Sequence, residues 1–85
     1  MDRHQRTLEA IFEKRAGILW TDIVKMLIHF GAETSEGRGS RVRFALNGVR
    51  AVFHRPHPTK ETDRGAVASM RRFLIEAGIR PEKKL

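Results

Sequence analysis

Apolar and polar positions alternate through the middle of the chain and recur at helical spacing on either side of it. From Ser40 to Leu46 the alternation puts Val42, Phe44 and Leu46 on one side and Arg41, Arg43 and Ala45 on the other, the period-two signature of a half-buried strand. Asn47-Gly48 follows, a pair suited to a type I′ turn because that turn needs positive φ at both central residues, and Val49 to His54 returns as a second strand. A two-residue loop fixes the register. Leu46 faces Val49, Phe44 faces Ala51, Val42 faces Phe53 and Ser40 faces Arg55 on the apolar side. The other side pairs Ala45 with Arg50 and Arg43 with Val52, and sets Arg41 across from His54, close enough for both side chains to share a phosphate. The stretch from Gly37 to Pro58 therefore reads as a Gly-flanked hairpin that ends in a pair of histidines, His54 and His57.

Helical spacing flanks this hairpin. Behind Asp2, a capping residue, Leu8, Ile11, Phe12 and Arg15 predict a first helix through about Arg15, stopped by Ala16-Gly17. A second helix begins near Thr21, taken as its cap, carries Trp20, Ile23, Val24, Leu27 and Ile28 on one face, and ends at Gly31. Ala32 to Ser35 reads as a short edge strand and Glu36 to Gly39 as a polar, basic loop. Between Arg55 and Lys60, Pro56 and Pro58 exclude a central strand or helix and place His57 on a constrained, extended connection. A third helix, from about Asp63 or Arg64 to Ala77, turns Ala66, Val67, Met70, Phe73, Leu74 and Ala77 inward and Arg64, Arg71 and Arg72 outward before Gly78 and Pro81 end it. Glu82 to Leu85 form a charged tail that is expected to fray. The order α-α-β-β-β-α predicts an α+β fold, a small antiparallel sheet of three strands with helices on one face and Trp20, Phe44, Val67 and Leu74 in the core.

Length and charge narrow the class. Eighty-five residues are expected to form one small domain with a modest core. Seventeen Lys and Arg against ten Asp and Glu give +7, and arginines recur through the whole chain, so a polyanion is the natural partner. No apolar run approaches the roughly 18 residues that span a bilayer, and the start lacks a signal-peptide apolar region. Cysteine is absent, which removes disulfides, thiolate nucleophiles and thiolate ligands and fits a reducing compartment. A soluble cytoplasmic protein without a membrane partner is expected.

Two sets of side chains carry candidate chemistry. Arg38, Arg41, Arg43, Arg50 and Arg55 cluster with Ser40 on the hairpin and its approach. Guanidinium groups grip phosphate bidentately where lysine acts as a point charge; the plainer alternative is a solvated face kept soluble by charge. His54-Arg55-Pro56-His57 is the second set. Cleaving RNA without a metal needs a base for the ribose 2′-OH proton, an acid for the leaving 5′-oxygen and a cation for the charge gathering on phosphorus, and two imidazoles with an arginine supply those types. The alternative is that the histidines only hydrogen-bond the proline-rich connection. A zinc site from His54, His57, Glu61 and Asp63 is disfavoured, because a strand exit lacks the fixed geometry of a helical His pair; no metal and no cofactor are expected. His4 and His29 read as surface residues of their helices, Trp20 has too little aromatic company for a base-stacking platform, and Gly37-x-Gly39 is too short for a nucleotide-binding loop.

Gly31, Gly39-Ser40 with the alternating strand behind it, the run from His54 to Pro58, Gly65-Ala66-Val67, Arg71, Leu74, Ala77-Gly78 and Ile79 together resemble the HicA toxin family. The likeness covers about residues 20 to 80 and leaves residues 1 to 16 as an additional N-terminal helix. It implies a double-stranded-RNA-binding-domain-like fold and a metal-free endoribonuclease acting on mRNA in bacteria. It also implies a HicB antitoxin as partner, with oligomerisation through that antitoxin. In the family pattern the residue after Gly-Ser is a histidine regarded as catalytic, and here it is Arg41. Arginine stays protonated and cannot act as a base. Any acid-base work then falls to His57 and His54, with Arg41 as electrostatic stabiliser. A non-catalytic RNA-binding module and a basic docking domain for an acidic protein remain the competing functions.

Overall fold

Three helices and three strands follow one another as α1 (Arg3–Phe12), α2 (Trp20–His29), β1 (Glu33–Glu36), β2 (Arg41–Leu46), β3 (Val49–His54) and α3 (Arg64–Glu76) in the computed structural model, which describes residues 2–81. This is the expected α+β order; the tail from Glu82 to Leu85 lies outside the described residues. The strands form one antiparallel sheet in the order β1-β2-β3. Asn47 at φ 51° and Gly48 at φ 82° make the turn, and β2 pairs with β3 in the expected register from Arg41↔His54 to Leu46↔Val49. The Asn47 amide also donates to the Ala77 carbonyl at 2.8 Å, tying the turn to the end of α3.

The alternation in β2 decides which side of the sheet is covered. Val42, Phe44, Leu46 and Phe53 are buried against Trp20, Ile23 and Leu27 of α2, Val67, Met70 and Leu74 of α3, and Leu8 and Ile11 of α1. An aromatic chain runs through this layer: Trp20 lies 6.0 Å from Phe44 and 6.4 Å from Phe53, and Phe53 meets Phe73 edge-on at 6.2 Å, geometries that favour ring quadrupoles. Arg41, Arg43, Arg50, Val52 and His54 are all exposed on the other side, so the helices cover one face only.

Several boundaries move. α1 stops at Phe12 and leaves Arg15 outside, because Lys14 takes φ 56° and lets the Lys14 and Arg15 amides donate back to Ile11 and Ala10, both at 3.0 Å; this closure, and not Ala16-Gly17, ends the helix. α2 begins one residue before Thr21, behind Leu19, with no side-chain cap. Backbone bonds from Trp20 N to Lys60 O (3.0 Å) and Thr62 N to Ile18 O (2.8 Å) hold that start in place. Met26 is fully buried in α2 while Ile28 is 51% exposed, and β1 sits one residue later than expected. Arg71, expected to point outward, is half-buried beside Phe12. His29 is exposed as expected, but its ring stacks on half-buried His4 with centroids 4.3 Å apart, joining α2 to α1.

Candidate nucleic-acid interface and its chemistry

The uncovered sheet face is built by the same alternation that buries its reverse. Arg41 and Arg43 project from β2 between the buried Val42 and Phe44, and Arg50 and His54 project from β3 in matching register. Arg41 and His54 are direct cross-strand partners at the end of the hairpin away from its turn. Beyond them the Arg55 amide donates to the Ser40 carbonyl at 2.8 Å. The Ser40 hydroxyl lies 3.4 Å from His54 Nδ1, a long contact that leaves Nε2 without a protein partner among the described residues.

The loop before β2 folds back over this end. Gly37 N donates to the Arg41 carbonyl at 2.9 Å and Arg41 N to the Arg38 carbonyl at 3.2 Å. A Cβ on Gly37 would come within 3.2 Å of Arg41 Cβ, so glycine is what allows so close an approach. Arg38 is exposed on this loop, beside the Arg41–His54 pair.

The remaining sequence candidates are not all gathered here. Arg55 extends toward the edge strand, with its Nη2 2.6 Å from Glu36 Oε1. It borders a groove with Trp20, Val24 and Val42 on the helix side, apart from the other arginines. His57 is exposed on the proline-rich connection and makes no side-chain hydrogen bond among the described residues. Asp63 caps α3 by accepting from Ala66 N at 2.8 Å, and Glu61 bridges Leu19 through its backbone. Among the described residues no three His, Cys, Asp or Glu side chains converge to hold a metal ion. Sequence reasoning overlooked Glu33 and Ser35, which β1 brings alongside Ala45 and Arg43 on the open face.

This arrangement sets guanidinium groups and an imidazole on one open face, a combination able to neutralise and hydrogen-bond an anion such as a phosphodiester. The family model for the HicA toxin of bacterial toxin-antitoxin systems matches residues 20–79, from the start of α2 to just beyond α3. The chain belongs to the HicA toxin family. No curated protein and no solved structure matches it. Membership makes this HicA protein the toxin component of a toxin-antitoxin system, and its match includes the whole sheet and its cationic face. α1 precedes the matched segment yet contributes Leu8 and Ile11 to the core. No helix among the described residues of the HicA chain is long and apolar enough to cross a membrane.

Proposed function

We propose that this HicA toxin is a metal-independent endoribonuclease that cleaves mRNA in the bacterial cytoplasm and is neutralised by a HicB-type antitoxin. The observation that carries the reading is the Arg41–His54 pair, a fixed cation and a titratable imidazole side by side on an uncovered face. Arg38, Arg41, Arg43 and Arg50 hold the RNA backbone, with Ser40 and Arg55 at the margin. One of the two imidazoles, His54 or His57, removes the ribose 2′-OH proton as the 2′-oxygen bonds to phosphorus. Arg41 stabilises the added charge on the phosphoryl oxygens, and the other imidazole protonates the 5′-oxygen as its bond to phosphorus breaks. The products are a 2′,3′-cyclic phosphate and a 5′-hydroxyl. An acidic antitoxin blocks the reaction by competing for the same arginines.

The test is cleavage of RNA by purified protein in EDTA, with His57→Ala and His54→Ala measured alongside. Cleavage should survive EDTA and be lost in His57→Ala, which is exposed and should leave the melting temperature unchanged. Undiminished cleavage by His57→Ala rejects its assignment as a catalytic residue. Salt-sensitive binding with no cleavage by the unmodified protein rejects the enzyme and favours a module that only holds RNA.

A further inference from the structure

Register lays the open face out in rows. Arg41 and His54 form the first, Ser35, Arg43 and Val52 the second, and Glu33, Ala45 and Arg50 the third. Successive rows are about 7 Å apart, two residues along a strand, a step comparable to that between neighbouring phosphates of an extended single strand. The second and third rows line a shallow depression of ≈ 560 Å³. Ala45 lies in its floor, Val52 stands in it 56% exposed, Arg43 and Arg50 flank it, and Glu33 and Ser35 lie along its β1 side. Glu33 forms no ion pair among the described residues, so its carboxylate keeps its full capacity to accept hydrogen bonds.

An occupant suited to this surface has an apolar flat face for Val52, anionic groups for the arginines and hydrogen-bond donors for Glu33. A nucleotide with an unstacked base has all three. A duplex offers phosphate to the arginines but keeps its base faces and pairing edges inside.

We propose that the depression is a nucleotide subsite for single-stranded RNA. A base near the cleaved linkage lies over Ala45 and Val52, its phosphates rest on Arg43 and Arg50, and its pairing edge meets Glu33 and Ser35. A carboxylate accepts from the exocyclic amino groups of adenine, cytosine and guanine, whereas uracil presents carbonyl oxygens on both sides of its single N–H. Glu33 is therefore a specificity residue that favours amino-bearing bases over uracil. The placement near the cleaved linkage rests on the ribonuclease reading; the binding preference does not.

The experiment titrates the protein with labelled homopolymers of 2′-O-methyl adenylate, cytidylate and uridylate, which lack the attacking hydroxyl and stay intact, and reads binding by fluorescence anisotropy. Adenylate and cytidylate should bind roughly three- to tenfold tighter than uridylate, the net worth of one ordinary hydrogen bond at an exposed site. Glu33→Gln, which both donates and accepts, should bring the ratio close to one, and Glu76→Gln, exposed on α3, should leave it as it was. Equal affinity for the polymers in the unmodified protein, or a preference that survives Glu33→Gln, overturns the subsite. Cleavage of ordinary RNA, measured in parallel, reports on the enzyme separately: preference without cleavage supports the subsite and removes the ribonuclease, and cleavage without preference does the reverse.

Discussion

Arg71 lies over the ring of Phe12, with its guanidinium carbon 5.4 Å from the ring centroid. Its Nε is buried and has no hydrogen-bond partner among the described residues, so the ring face is the compensating contact that this part of the cation receives. The pair joins α3, inside the family match, to α1, which precedes it. Phe12→Leu removes the π face and keeps bulk; Arg71→Met removes the charge and keeps the stem. A double-mutant cycle by urea denaturation should give a coupling energy of about 0.5–2 kcal/mol. Strictly additive losses would show that the stacking contributes nothing to holding α1 in place.

Asp2 caps α1 by accepting from Gln5 N at 2.9 Å. That bond is the main reason its carboxyl sits below its ordinary 3.8; desolvation opposes it, and the His4 amide with the His4 and His29 side chains acts more weakly in the same direction as the cap. A carboxyl lowered on folding stabilises the native state above its unfolded value, and that contribution is lost as pH falls through the folded value. Asp2→Ala should therefore melt at a lower temperature near neutral pH, with the gap closing as pH drops below about 4. Asp2→Asn, which keeps a cap oxygen without the charge, should fall between the two. Melting curves across this range check it, and a gap that persists in strong acid would rule out the carboxylate as the cause.

Phe44 is 1% exposed and lies 6.0 Å from both Trp20 and Phe53. Phe44→Ala should cost about 3–5 kcal/mol, a large share of the roughly 5–15 kcal/mol that holds a domain together. Val52→Ala, on the uncovered face of the same sheet, should change stability by about 0.5 kcal/mol or less. Trp20 fluorescence during denaturation distinguishes them, and similar losses at both positions would contradict a one-sided sheet.

The hairpin is legible in the sequence because its register depends on two local facts, the alternation of Val42, Phe44 and Leu46 and the positive-φ pair Asn47-Gly48. Arg41 opposite His54 follows from those alone. What escapes sequence reading depends on partners far along the chain or on an uncommon backbone choice. Nothing local says that Lys14 will adopt positive φ, which is unusual without glycine. Thr21 resembles a cap, yet the strand-like bridge to Glu61 sets where α2 starts. All four residues of β1 are exposed and no two-residue turn joins it to β2, so neither alternation nor loop length predicts its register. The positions of Glu33 and Ser35 on the cationic face, and of Glu36 against Arg55, emerge only in three dimensions.

That last contact separates Arg55 from the other arginines in a measurable way. Its ion pair with Glu36 joins side chains that are 44% and 71% exposed, so its worth for stability is small. For RNA binding, however, a phosphate must displace or share that carboxylate, whereas Arg41, Arg43 and Arg50 have no ion pair among the described residues. Each phosphate contact on single-stranded RNA adds about 0.7 to the slope of log affinity against log salt. Arg41→Ala, Arg43→Ala and Arg50→Ala should each flatten the slope by about that amount, and Arg55→Ala by clearly less. Glu36→Gln should free Arg55, steepening the slope, and Arg55→Ala in that background should then cost the full increment. Anisotropy titrations over a salt series, with RNA made uncleavable by 2′-O-methyl groups, resolve the difference. If Arg55→Ala flattened the slope as much as the other three with Glu36 intact, the ion pair would be opening on binding, and Arg55 would belong to the same phosphate-contacting set as Arg41, Arg43 and Arg50.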